Sequence, residues 1–218
     1  MKASGFNKIS AYGHTKELIL SGQVDPMNGG SALFTFGYDL DKEGQREAAD
    51  SIYRQTIELL EELSSKEDSG MRMLHLASLA FVHGKNLFSL GRFHLARTSF
   101  TRSMEIVDSL MTLDANTPLV EQLGATLNWL ALSQRKTSMW HDASKSYERA
   151  VSLWRHLLVL TQSPERRRRY ANSLATALFG AAKVLKKLSQ HKRAEEYLRE
   201  SEEILGRALP AEKIRYHC

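Results

Sequence analysis

Apolar residues return every three or four positions along most of the chain, as in Leu74, Ala77 and Phe81, and again in Leu123, Leu127 and Leu130. Helix is the regular structure with that period. The pattern predicts helices over 45–65, 71–90, 92–112, 118–137, 140–161, 164–188 and 191–208, each followed by a short polar or glycine-bearing turn. Ser163-Pro164-Glu165 reads as a helix start, with a capping serine before a proline whose missing N–H costs nothing there. Ser69-Gly70 and Leu90-Gly91 read as helix ends, where glycine accepts the left-handed conformation. Helices joined by such short links fold back antiparallel on their neighbours. Earlier in the chain, Lys8 to Leu20 reads as a short helix with Ile9, Tyr12 and Ile19 inward, and Gln23 to Gly30 reads as a loop by composition.

The same pattern repeats at long range. Ala80, His83, Gly84, Leu87, Gly91, Phe93, Ala96, Phe100 and Ser103 form one copy. A shift of 47 residues gives Leu127, Leu130, Ala131, Gln134, Ser138, Trp140, Ala143, Tyr147 and Ala150. A further 51 gives Leu178, Ala181, Ala182, Leu185, Ser189, His191, Ala194, Leu198 and Ser201. Shifting back 47 from the first copy gives Leu33, Phe36, Gly37, Leu40, Gly44, Arg46, Ala49, Tyr53 and Thr56. Small residues recur where two helices would cross closely, and large ones recur to fill the space between them.

This spacing resembles the tetratricopeptide repeat (TPR). The small positions of the first helix are Gly37, Gly84, Ala131 and Ala182, and the second-helix alanines are Ala49, Ala96, Ala143 and Ala194. Four residues after each alanine stands Tyr53, Phe100, Tyr147 or Leu198. The period of 47 to 51 exceeds the family's usual length of about 34, and the consensus tryptophan and helix-ending proline are missing, so the resemblance is to a long-helix variant. It implies an all-α fold, a right-handed superhelical solenoid of antiparallel helix hairpins. Residues 31–208 would form about four repeats, with 1–30 an N-terminal arm or cap, partly disordered, and 209–218 a tail. The plain alternative is an antiparallel bundle with accidental periodicity.

Composition narrows the chemistry. The single cysteine, Cys218, leaves no internal disulfide and no thiolate metal site, which suits an intracellular compartment, cytoplasmic or nuclear. No apolar run approaches the length of a membrane span, so a soluble chain with no membrane partner is expected. No phosphate-cradling glycine loop or His-Glu-x2-His is present. His75 and His83 stand eight apart with no carboxylate between them and read as packed histidines. No serine stands in a nucleophile elbow, and acidic pairs such as Glu61-Glu62 read as solvated faces. The expectation is no enzyme, no metal and no cofactor.

What remains is surface. In such a stack the first helices line the concave face. Their groove positions are Phe81, Lys85 and Phe88, then Asn128, Leu132 and Arg135, then Phe179, Lys183 and Lys186, with Glu121 and Asn172 extending the stripe. Asparagine can bond a peptide backbone, phenylalanine offers apolar contact and the cations attract acids, so an acidic and apolar protein or peptide segment is the expected ligand. A subset of the family grips acidic C-terminal tails through fixed cation and asparagine slots. Here those slots hold Phe81, Trp129, Thr176 and Gly180, so that specificity does not transfer.

Charge supplies a second reading. The chain carries +5, yet 164–193 holds nine Lys and Arg, including Arg166, Arg167, Arg168 and Arg169, against Glu165 alone, a net +8. That basic pole makes nucleic acid the alternative partner, or an acidic protein, but only Tyr170 and Phe179 stand near as stacking candidates, and the plain reading is solvated charge compensating Glu195, Glu196, Glu200, Glu202 and Glu203 of the partner helix. A role as an accessory module of a larger signalling complex is the third. The last helix ends with apolar residues still in period, which leaves a homodimer open.

Overall fold

The computed structural model describes residues 3–63, 70–112 and 116–208. Within them the chain forms α1 (Ala3–Leu20), α2 (Pro26–Lys42), α3 (Arg46–Leu63), α4 (Gly70–Ser89), α5 (Phe93–Met111), α6 (Thr117–Lys136), α7 (Trp140–Leu160), α8 (Pro164–Lys187) and α9 (His191–Ala208), with no strand among the described residues. The helices predicted from periodicity match these to within about two residues for most ends. The tail at 209–218 lies outside the described residues. The chain divides into two compact units, Met1–Leu110 and Met111–Cys218.

In the first unit α1 packs on α2, α2 on α3 and α3 on α4. Tyr12, Ile19, Leu33, Leu40, Ala49, Ile52, Tyr53 and Leu59 form one buried cluster, so α1 contributes two of its inward residues to this core. The repeat's small positions explain how the helices approach. A Cβ on Gly37 would stand 2.7 Å from the Tyr53 ring, and one on Gly84 would stand 2.7 Å from Phe100. Each aromatic therefore lies on the bare backbone of its hairpin partner.

Two sequence readings are corrected here. Gln23 to Gly30 is not all loop: α2 begins at Pro26, where Asp25 Oδ1 accepts from the Asn28 N–H at 3.2 Å and proline occupies the first turn. Gly29 and Gly30 are contact glycines, since added Cβ atoms would stand 2.4 Å from Ile19 and 2.8 Å from Leu60. Composition marks glycine as a turn former but cannot distinguish a turn from a close helix crossing. Gly70, read as a helix end, instead opens α4, and its neighbour Ser69 lies outside the described residues.

In the second unit α6 packs on α7, α7 on α8 and α8 on α9, and α6 also touches α8. Glycines outside the repeat positions also mark close approaches here. The Trp154 indole lies over Gly124, and the Tyr147 ring of α7 lies over Gly180 of α8, where a Cβ would stand 2.4 Å away. Asn116 Oδ1 and Ser163 Oγ cap α6 and α8, accepting from Leu119 and Arg166 N–H groups at 3.2 and 3.3 Å.

The four hairpin turns share one backbone design. The N–H groups of Gln45, Arg92, Met139 and Gln190 donate to the carbonyls of Leu40, Leu87, Gln134 and Leu185 at 2.8–2.9 Å. Each closes around a residue of positive φ, namely Gly44 (78°), Gly91 (75°), Ser138 (60°) and Ser189 (60°). The two serines pay a steric penalty that glycine avoids. Ser138→Gly and Ser189→Gly are each expected to raise unfolding free energy by about 0.5–1 kcal/mol, the steric relief outweighing glycine's added chain entropy. Urea denaturation midpoints of the single and double variants measure this.

Candidate interaction surface

On α4, Lys85 is exposed, with its ammonium 5.8 Å above the Phe81 ring. Phe81 itself is half-buried against Phe100, ring centres 5.9 Å apart, and Phe88 meets Phe93 edge-on at 4.9 Å. Both phenylalanines thus spend much of their surface on packing α4 against α5, leaving Lys85 as the most open of the three predicted contacts.

In the second unit the predicted groove residues separate into committed and open groups. Asn128 is half-buried, its amide donates to the Ser173 carbonyl of α8 at 3.4 Å, and its Oδ1 is buried without a partner. Its donor therefore bridges two helices. Arg135 is half-buried near Tyr147, whose hydroxyl burial pushes up to about 12 against the opposing pull of the arginine charge. Glu121 is engaged from α8, with Arg169 donating at 2.7 Å and the Tyr170 hydroxyl bonded to its other oxygen.

The open group lies on α8. Arg168, Asn172, Thr176, Lys183 and Lys186 are exposed and Phe179 is half-buried. Steps of three, four and seven residues keep these side chains on one face, and the helix carries them along roughly 27 Å from Arg168 to Lys186. Cations stand at both ends, Arg168 at one and Lys183 and Lys186 at the other, and hydrogen-bonding side chains and an aromatic stand between. Lys183 lies across the Phe179 ring with its ammonium 4.2 Å from the centre.

The four-arginine run is less available than its sequence suggests. Arg167 donates to the Thr161 carbonyl at 3.1 Å, tying down the end of α7, and Arg169 is paired with Glu121. Arg193 is paired with Glu148 at 2.9 Å. Tyr170, a stacking candidate by sequence, is 1% exposed, with its ring 5.9 Å from that of Trp154.

Sequence reasoning missed a polar cluster in the first unit. Asp50 Oδ1 accepts from His83 Nε2 at 2.7 Å, and its Oδ2 accepts from Arg92 at 2.9 Å. Arg92 also reaches Glu47 at 2.6 Å, and Ser99 Oγ stands 3.4 Å from His83 Nδ1. Missed too were two braces in one register with opposite polarity, Glu61–Arg102 in the first unit and Arg155–Glu200 in the second, both at 2.5 Å. The signal was opposite charge about one repeat apart: Arg92–Glu47, Arg155–Glu200 and Arg193–Glu148 are each separated by 45 residues. Among the described residues, no cluster of three or more His, Cys, Asp or Glu is arranged to hold a metal, and no helix is long and apolar enough to cross a membrane.

No protein-family model matches the chain. No curated protein matches it either. Solved structures do resemble it. BtubC (BKLC) from P. vanneervenii aligns with a TM-score of 0.52 and 12% identity, covering 100% of this chain and 96% of that one. The apo form of RapI aligns with a TM-score of 0.59 and 17% identity over 93% of this chain, which spans only 50% of RapI. The MamA RS-1 ArsTM double mutant aligns with a TM-score of 0.51 and 15% identity, covering 90% and 94%. These neighbours are TPR-like repeat proteins, and the likeness establishes an all-α, TPR-like fold for this chain.

Proposed function

We propose that this chain is a non-enzymatic protein-interaction module that docks an acidic, partly apolar segment along the open face of α8. TPR-like helical repeats generally serve as scaffolds for protein contacts, and the fold supports that class. The observation that carries the finer reading is the cationic stripe Arg168–Asn172–Thr176–Phe179–Lys183–Lys186, exposed except for the half-buried Phe179. Exposed cations steer an acidic partner from a distance, and asparagine, threonine and phenylalanine give it register and apolar contact once it arrives.

Three features weigh against the nucleic-acid reading: Arg167 and Arg169 are engaged within the fold, and buried Tyr170 offers no face for a base. A fluorescein-labelled peptide of alternating Glu and Leu residues tests the proposal by anisotropy. Lys183→Glu combined with Lys186→Glu is expected to weaken its binding more than tenfold, with far-UV circular dichroism unchanged. Equal affinity in the variant would place the contact elsewhere, and a stronger response to single-stranded DNA than to the peptide would favour the nucleic-acid reading.

A further inference from the structure

Between α3 and α5, above α4, the first unit carries a cleft of about 190 Å³. Arg54, Glu58 and Glu61 of α3 form one wall, Ser99 and Arg102 of α5 the other, and His83 of α4 lies at the base. None of its lining residues belongs to α8, so it is tested independently of the proposed function.

The cleft traces to which residues occupy repeat-equivalent positions. Ser99 and His83 of the second hairpin correspond in register to Tyr197 and Ala181 of the fourth. Tyr197 is half-buried and packs on the cluster of Ala182, Leu185 and Ala194. Where the fourth hairpin places a phenol ring over alanines, the second places a hydroxyl over an imidazole, which makes the lining of this cleft polar.

The lining is also oriented. Asp50 accepts from His83 Nε2, which leaves Nδ1 as an acceptor beside the Ser99 hydroxyl, 3.4 Å away. Arg102 is held by Glu61 at 2.5 Å, and Arg54 and Glu58 are exposed at the rim. Two guanidinium groups and two carboxylates sum to zero. A simple anion would gain from the arginines and lose to the glutamates, whereas a molecule bearing both charges can satisfy both. Burial pushes the Glu61 carboxyl up, with the Arg102 guanidinium opposing the rise. At about 190 Å³ the cleft is smaller than the roughly 300–1,000 Å³ of a site for a drug-sized ligand, which suits a small molecule of amino-acid scale.

We propose that this cleft binds a small zwitterion of amino-acid size, its carboxylate received by Arg54 and Arg102 and its ammonium by Glu58 and Glu61, with Ser99 and His83 Nδ1 bonding its polar atoms. The full chain is titrated calorimetrically with each of the standard L-amino acids, with their N-acetyl amide derivatives, and with inorganic phosphate. At least one free amino acid binds with one-to-one stoichiometry, and its blocked derivative binds more than tenfold more weakly. Ser99→Tyr, which installs the residue of the fourth hairpin, abolishes that binding and leaves helical content unchanged. Arg54→Ala, at an exposed position that leaves the core alone, weakens it at least tenfold and serves should the tyrosine variant not fold. No binding by any amino acid, equal binding by the blocked derivative, tighter binding of phosphate, or undiminished binding in a folded Ser99→Tyr or Arg54→Ala variant would each overturn the proposal.

Discussion

Phe100→Ala is expected to lower the unfolding free energy by about 3–5 kcal/mol. Phe100 is 0% exposed, its ring lies on the bare backbone of Gly84, and Phe81 packs against it at 5.9 Å. Truncation removes the transfer free energy of the ring and leaves a cavity, and helices already in contact elsewhere cannot close over it. Phe100→Leu keeps most of the volume and is expected to cost less than half as much. Urea unfolding of both variants, followed by circular dichroism, measures the difference. Equal midpoints for Phe100→Ala and the parent would mean that the ring does not hold α4 to α5.

Asp50→Ala is expected to cost about 2–4 kcal/mol, more than an ordinary exposed ion pair contributes. The side chain is 15% exposed and both its oxygens are used, one by His83 and one by Arg92. Removing it strands an imidazole N–H whose side chain is only 12% exposed and leaves Arg92 with Glu47 alone. Asp50→Asn retains one acceptor but turns an amide donor toward a cation, so its cost falls between the parent and the alanine variant.

A pH signature accompanies this cluster. Burial holds the imidazoles of His75 and His83 below the ordinary 6.5, with Asp50 partly opposing the effect at His83. As pH falls through 6.5 the unfolded chain takes up these protons while the folded chain does not, so stability declines with acidification until the folded imidazoles also protonate. Asp50→Ala removes the opposing influence and drives the His83 value lower still. Imidazole resonances followed by NMR across that range, in parent and variant, read the shift directly.

The hairpin framework was legible because its signals are local or simply periodic. Seven of the helices appear as a 3.6-residue rhythm, and the turns at Gly44, Gly91, Ser138 and Ser189 were already aligned by the repeat, although two of the four lack glycine. Four copies in register also put Gly37 and Gly84 at small positions and Tyr53 and Phe100 at large ones, and the structure sets each ring on its glycine. The start of α2 was not legible, because Gly29 and Gly30 serve α1 and Leu60 of α3, and composition alone assigns such a pair to a loop. Nor were the close approaches at Gly124 and Gly180, which lie outside the repeat's small positions.

The candidate site divides the same way. Period places Lys85, Lys183 and Lys186 on one side of their helices, and all three are exposed. Which polar residues stay open does not follow from period. Asn128, Glu121, Arg167 and Arg169 are polar or charged like the exposed residues beside them, yet each is engaged by a partner on an adjoining helix or turn. By itself, the order of residues determined helix, hairpin and repeat, because those depend on spacing along one chain. Tertiary structure decided which charges face solvent, because a neighbouring hairpin competes with water for every donor and acceptor it comes near, and the outcome depends on distances of about 3 Å between residues some 45 positions apart.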